Sequence, residues 1–375
     1  MKIICEKDNL IKALNSVAIA VPTRTTMPIL ENILIQTNDK KVKLTTYDID
    51  NLGVEYLIDA EIEEEGATSV NANTFSEIIR RLPNTEIKIS LNDKNLLVIE
   101  CEGSLYKLAT INPEEFPELP KINIENSIDI EQNTLKEMIR KTIFAVSNDE
   151  VRPIFTGCLF EVKDNKLNVV AVDGFRLAWK KKELKEKVKD FKAIIPGKTL
   201  TKINNILLDS FDKIKIGISK NQALFEMDNC KLVTSILDGE FINYEQVIPE
   251  KWETKVTVDK DHIQNSFERI SLISSSNIEK EKRYPVKVNV EIGKIIISCA
   301  NQTGDAKEEI IVSSEGKDLE IGFNPKYFLD AFKVIDDKEI SIEFGSSISP
   351  SIIKAVEEDE EQSYIYMILP IRLKQ

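Results

Sequence analysis

The sequence predicts an α+β fold of three repeated domains, each built from two helix-plus-strands half-units. Three stretches carry that reading. Lys198–Ile218 (KTLTKINNILLDSFDKIKIGI) sets Leu200, Ile203 and Leu207 at helical spacing, then alternates Ile214, Ile216 and Ile218 as a strand does. Some 125 residues earlier, NTFSEIIRRLPNTEIKISL repeats the unit through Phe75, Ile78, Ile79 and Leu82, then Ile87, Ile89 and Leu91. Some 127 residues later, NPKYFLDAFKVIDDKEISIEF does so through Phe328, Ala331, Phe332 and Ile335, then Ile340, Ile342 and Phe344. Self-similarity at domain-sized spacing marks repeated folding units. A chain of 375 residues has room for three, each with its own core.

Taken in order, each domain is expected to open with an amphipathic helix. The three are Asp8–Ala20 (Leu10, Ile11, Leu14, Val17), Asn133–Ala145 (Leu135, Met138, Ile139, Ile143) and Asp259–Ile273 (Ile263, Phe267, Ile270, Ile273). Asn133 and Asp259 suit N-caps, because a short side-chain oxygen can accept from the free amides of the first turn. β-type runs follow each helix: Ile29–Thr37 and Lys41–Tyr47, Gly157–Val162 and Lys166–Val172, Val286–Glu291 and Lys294–Cys299. The repeated helix comes next, at Asn73–Leu82, Lys198–Leu208 and Pro325–Ile335, with a second set of strands behind it. The domains therefore span residues 1–120, 128–249 and 255–375. Glu115–Ser127 and Gly239–Thr254, Pro-containing and without helical periodicity, join them as extended connectors. The acidic run Glu357–Glu361 reads as a solvated hairpin between Ile352–Val356 and Tyr364–Leu369.

Composition narrows the chemistry. The chain is 42% hydrophobic and 30% charged, a globular balance, and no apolar run reaches the length of a membrane span. MKIICEKDNL carries acids and an Asn where a signal sequence needs apolar residues, so a cytoplasmic protein is expected, with no membrane partner. Cys5, Cys101, Cys158, Cys230 and Cys299 are scattered without a CxxC pair and read as reduced structural thiols. The single histidine, His262, is read as a solvent-facing helical residue; His-based catalysis and multi-His metal sites are not expected. IPGKTL at Ile195–Leu200 resembles half a phosphate loop, but Lys192 stands where the first Gly is needed. Asp48 and Asp50 in YDIDN lack a third ligand and read as a polar turn. No catalytic residue, metal or cofactor is expected.

The net charge of −13 is unevenly placed. The six expected helices, with the first taken from Lys7, hold 13 Lys and Arg against 7 Asp and Glu; the rest of the chain holds 37 against 56. Helices sharing one face would offer phosphates a mildly basic surface inside an acidic shell, giving weak, sequence-blind, salt-sensitive contacts. Three similar domains also leave an unpaired strand edge at either end of the chain, and such edges invite pairing with another copy. A head-to-tail contact of that kind closes into a ring if the angle per domain permits.

In the middle domain the likeness becomes specific. AVSNDEVRPIFTGCLFEV (Ala145–Val162), AVDGFRLAW (Ala171–Trp179), LDGEFINYEQVIP (Leu237–Pro249) and MILPIRL (Met367–Leu373) resemble the bacterial sliding clamp family, the beta subunit of DNA polymerase III holoenzyme. RTTMPILENILI (Arg24–Ile35) resembles the same family, and the resemblance covers essentially the whole chain. It implies a DNA-clamp fold and a ring-forming head-to-tail homodimer without a catalytic site. The ring would encircle double-stranded DNA, be opened by an ATP-driven clamp loader, and tether the DNA polymerase III catalytic subunit and other clamp-binding-motif proteins.

For a client peptide the resemblance points to a cleft at Phe155, Val172, Gly174, Phe175, Arg176, Leu177, Ile242, Val247, Met367, Ile368, Leu369, Pro370, Ile371 and Arg372. Phe175, Ile242 and Gln246 replace a His, a Pro and an Arg common in the family, which shifts the peptide preference. Two large anchors buried at about 25 cal/mol per Å2, less the cost of ordering the peptide, place binding on the micromolar scale. DNA candidates, carried over or placed on helices, are Arg24, Arg80, Lys136, Arg140, Lys198 and Lys202, with Arg152 near the cleft. The dimer contact falls at Leu272 and Ile273 against Ile78 and Leu82. The rival reading is a DNA-free scaffold that binds client peptides.

Overall fold

In the computed structural model, which describes residues 1–373 apart from 39, 50, 275–283, 303, 358 and 360, every helix of eight or more residues starts within one residue of a strand's end. These helices are α1 (Lys7–Val17), α2 (Ala72–Arg81), α3 (Gln132–Arg140), α4 (Gly197–Ile206), α6 (Lys260–Ser274) and α7 (Pro325–Phe332); α5 is the single turn Tyr244–Val247. The half-unit is thus strand–helix–strands, and the domains do not open on their helices. Runs such as Lys2–Glu6 bury only Ile3 and Cys5, too few side chains to show a period.

Side-chain caps set the starts of α2, α6 and α7. Asn71 Oδ1 accepts from the Thr74 amide at 3.0 Å, Asp259 Oδ1 from His262 at 2.9 Å, and Asn324 Oδ1 from Lys326 at 3.1 Å. Asn133 is no cap: α3 begins at Gln132, directly after the strand Asn126–Glu131. Two expected helices stop early and tighten into 3-10 turns, Ala18–Ala20 and Ile143–Ala145. At the second break the Thr142 hydroxyl donates to the Met138 carbonyl at 2.8 Å, competing for the helix ladder. Proline makes the corresponding correction ahead of two strands. Pro28 and Pro153 start the 3-10 turns Pro28–Glu31 and Pro153–Thr156, so the first expected strand begins at Asn32 rather than Ile29.

The chain forms two compact units, Met1–Asn133 with Lys202–Ile236, and Thr134–Thr201 with Leu237–Gln375. Strands of the expected middle domain are shared between them. The first unit holds a 13-stranded antiparallel sheet that includes, in order, Ala67–Asn71, Asn32–Asn38, Lys41–Asp48, Leu52–Asp59, Cys230–Ser235, Gln222–Met227, Lys213–Ile218 and Asn126–Glu131. In the second unit the order is Phe191–Pro196, Gly157–Lys163, Lys166–Val172, Arg176–Glu183, Gln362–Ile368, Ser351–Ala355, Glu339–Phe344 and Thr254–Asp259. The two series have the same connectivity. The second unit adds a sheet ordered Gly304–Ile311, Lys294–Asn301, Val286–Glu291 and Leu319–Phe323.

Helices cover one face of each main sheet. In the first unit Leu10, Ala13, Leu14 and Val17 of α1 are buried, and the Thr46 hydroxyl donates to the Val17 carbonyl at 2.5 Å. In the second, Lys180 of Arg176–Glu183 pairs with Glu137 of α3 at 3.1 Å, while Phe267 of α6 stacks on Phe328 of α7 at 4.8 Å between centroids. The opposite faces carry the features of functional interest.

Candidate functional site

On the face of the second unit turned away from α3, strand alternation brings Val172, Leu177, Met367 and Ile352 into one row across four strands. Val170, Trp179 and Ile365 form the adjacent row. Phe155, Leu159, Ile194, Phe241 and Tyr244 join them in a single apolar cluster, with Ile242 packed against it. Of the residues expected in a cleft, Phe155, Val172, Leu177, Met367 and Ile242 therefore meet. Leu159, Val170, Trp179, Ile352 and Ile365 were missed, although stepping two residues from Val172, Leu177 and Met367 along each strand finds three of them.

The same alternation removes two expected residues from the cleft floor. Arg176 and Ile368 are opposite one another in the register but one step from the Leu177–Met367 pair, so they face α3. Ile368 is 1% exposed and belongs to the core. The Arg176 guanidinium is buried: it donates to Asp173 at 2.9 Å, Asp330 at 2.7 Å and the Phe144 carbonyl at 2.7 Å, and it lies over the Tyr327 ring. It holds the turn above the cleft. Asp173 Oδ1 also accepts from the Phe175 and Arg176 amides, and Gly174 takes φ +91°, a conformation that side chains disfavour.

That turn presents Phe175, 60% exposed and stacked on Tyr327 at 6.3 Å. The C-terminal segment runs beside it, tied by the Leu369 amide to the Phe175 carbonyl at 2.9 Å and by the Ile371 amide to Gly322 at 2.8 Å. Leu369 and Pro370 are half-buried, while Ile371, Arg372 and Val247 are exposed. The connector is not wholly extended, since α5 interrupts it and buries Tyr244. Its ring meets Trp179 edge-on at 5.3 Å, and its hydroxyl donates to Glu161 at 2.6 Å. Burial and the Glu161 carboxylate push the Tyr244 phenol far above its usual range, so it remains a neutral donor. An apolar floor with exposed apolar residues on the adjoining turn, helix and C-terminal segment suits an extended peptide bearing apolar anchors.

The expected DNA contacts divide between the units: Arg24, Arg80 and Lys202 lie in the first, Lys136, Arg140 and Lys198 in the second. Arg24 and Lys198 are exposed, and Lys136 and Lys202 are half-buried. Arg80 donates to Glu77 at 3.1 Å and Asn15 at 2.9 Å; Lys198 pairs with Glu150 at 3.4 Å. Arg140 is already committed, donating to Asp336 at 2.6 Å. Of the expected dimer residues, Leu272 is 73% exposed, Ile78 and Ile273 are half-buried, and Leu82 is 5% exposed, facing its own core rather than a partner. Exposed Arg152 adjoins the Pro153–Thr156 turn.

No group of three metal-ligating side chains occurs among the described residues, and Asp50 lies outside them. All five cysteines are buried and free; burial pushes the Cys5, Cys158 and Cys230 thiols up to about 12. His262 is exposed on α6. No helix among the described residues is long and apolar enough to cross a membrane.

Family models tile the chain: DNA polymerase III beta subunit N-terminal domain over residues 1–120, central domain over 129–243 and C-terminal domain over 245–372. The chain belongs to the DNA polymerase III beta subunit family. It is 32% identical to the beta sliding clamps of Bacillus subtilis and Staphylococcus epidermidis, covering 99% of this chain and at least 99% of each relative. Solved structures agree. A putative beta subunit from Eubacterium rectale matches with TM-score 0.92 at 36% identity, and the Bacillus subtilis sliding clamp with 0.93 at 32%, each over 100% of both chains. The apolar cluster draws Phe155 and Phe241 from the segment matched by the central model and Ile352 and Met367 from the one matched by the C-terminal model.

Proposed function

We propose that the chain is a sliding clamp: two copies close head to tail around duplex DNA and tether the replicative polymerase and other DNA-processing proteins through the second unit's apolar cleft. The end-to-end run of three beta-subunit family models carries this reading. It is a binding protein rather than an enzyme, working in the bacterial cytoplasm, with domains at 1–120, 128–249 and 255–375 and a clamp loader as its opening partner. Exposed Arg24, Arg80 and Lys198 and half-buried Lys136 and Lys202 would meet phosphates, with Arg140 contributing once released from Asp336.

The edges support closure. Within Ser104–Ile111, only Thr110 and Ile111 pair toward Ala67–Asn71, leaving Leu105 and Tyr106 exposed at an open edge. Gly304–Ile311 likewise has a single partner among the described residues. These two edges, among those of the described sheets, lie in the segments matched by the N-terminal and C-terminal models, which suits a head-to-tail contact. Leu272 and Ile273 would add apolar area beside it.

Retention on circular DNA tests the proposal. Loaded protein should stay on nicked circular plasmid through a high-salt wash and leave within minutes of linearisation. A DNA-free scaffold would bind neither form, and equal loss from circle and line would refute encirclement.

A further inference from the structure

The repeated strand order gives the first unit a counterpart of the cleft. Pro28-Ile29 and Pro153-Ile154 start the two 3-10 turns, and six residues beyond each proline stand Leu34 and Leu159. Following the cross-strand register from that anchor aligns the row Tyr47–Gly53–Val233–Leu224 with the cleft row Val172–Leu177–Met367–Ile352. Gly53 thus stands where the cleft has Leu177.

The space over Gly53 is filled by the chain itself. A Cβ on Gly53 would collide with the Leu119 side chain of the connector, and one on Gly217 would lie 3.0–3.3 Å from Ile124. Phe116 is buried against Ile29, Leu30 and Leu34, and the Glu125 amide donates to the Ile218 carbonyl at 2.9 Å. The connector therefore lies across this face through buried Phe116 and half-buried Leu119, with Ile124, 39% exposed, resting over Gly217. The fit is incomplete. A depression of about 1110 Å3, open to solvent on one side, remains between connector and sheet, and Thr45 beside it has a buried hydroxyl with no hydrogen-bond partner in the protein.

We infer that this face is a second peptide-docking groove, held in cis by the connector, and that the partner it fits is an extended segment with the connector's spacing of aromatic, leucine and isoleucine anchors. The geometry is that of the strand order and the glycine notches; the assignment to peptides rests on the proposed role of the second unit's cleft. A tethered segment acts at an effective concentration in the millimolar range, so a free peptide of micromolar affinity is excluded while Leu119 is seated.

The test uses the full chain and a labelled peptide of the connector sequence EFPELPKINIE, followed by fluorescence anisotropy. Leu119→Ala should bind it at least tenfold tighter than the parent chain, and adding Gly53→Leu, which fills the notch, should abolish the gain. Equal binding to parent and Leu119→Ala, no binding to either, or a gain that survives Gly53→Leu would each overturn the proposal. The last outcome would assign the peptide to the second unit's cleft. Should Leu119→Ala fail to fold, Gly53→Ala in an otherwise unchanged chain should speed hydrogen exchange at the Glu125 amide at least tenfold by lifting Leu119; unchanged exchange would overturn it too.

Discussion

The two connectors begin alike and end in opposite arrangements. Counting from the shared Glu-Phe, Phe116 matches Phe241 and Leu119 matches Tyr244. Both phenylalanines anchor in apolar clusters. Three residues on, Tyr244 packs on Trp179 and leaves the Leu177 row to the cleft, whereas Leu119 covers Gly53, the counterpart of Leu177. The adjoining rows differ to match. Val170, Trp179 and Ile365 offer a ring surface for Tyr244; their counterparts Thr45, Glu55 and Lys231 do not, and the depression remains there. One fold thus keeps one groove open and fills the other by exchanging which row the connector covers.

If this exchange is right, Tyr244 is the more valuable anchor. Tyr244→Ala removes a buried ring and strands Glu161, so it should destabilise the second unit by about 3–5 kcal/mol, the range for deleting a large buried aromatic. Leu119 is half-buried, and Leu119→Ala should cost no more than about 2 kcal/mol, the low end for a core leucine. Urea unfolding of both variants checks the ordering. A larger loss from Leu119→Ala would make the filled groove the more tightly built of the two.

The open groove should depend on its C-terminal rim in a way the filled one cannot. Removing everything from Met367 onward is too severe, because Met367 and Ile368 are paired strand residues. Ending the chain at Ile368 removes Leu369–Gln375 and should weaken binding of the polymerase's clamp-binding peptide by about thirtyfold or more, the effect of losing one interface hot spot of ~2 kcal/mol. Titration calorimetry measures it. Unchanged affinity would move the peptide site elsewhere.

How much of this contrast was legible beforehand follows from periodicity. Leu200, Ile203 and Leu207, or Ile214, Ile216 and Ile218, repeat often enough to reveal a helix and a strand, and all six are buried. Short leading strands and the four-residue α5 hold less than a full period and stayed hidden. Site residues carried over by resemblance came as a contiguous string, Gly174 to Leu177 and Met367 to Arg372. A string on a strand samples both faces, so Arg176 and Ile368 entered the expected cleft while Trp179 and Ile365 did not. Leu82 failed for a related reason: a helical apolar stripe marks what is buried, not whether the chain or a partner buries it. The Gly53 notch had no sequence signal at all, since its meaning depends on Leu119 arriving from a distant segment.

The smallest effect probes the unfilled row most directly. The Thr45 side chain is 3% exposed, and its hydroxyl meets neither a protein donor nor an acceptor. Its counterpart in the open groove is Val170. A buried hydroxyl without a partner carries a desolvation penalty of about 1–3 kcal/mol, which an isosteric methyl does not. Thr45→Val therefore makes the first unit more like the second at this point and should be neutral or stabilising by up to about 1 kcal/mol, read as a small rise in the urea midpoint with an unchanged slope. A loss of stability would mean that water or a ligand in the depression satisfies the hydroxyl. The filled groove would then hold a polar occupant beside the connector, in the place where the open groove holds the Tyr244 ring.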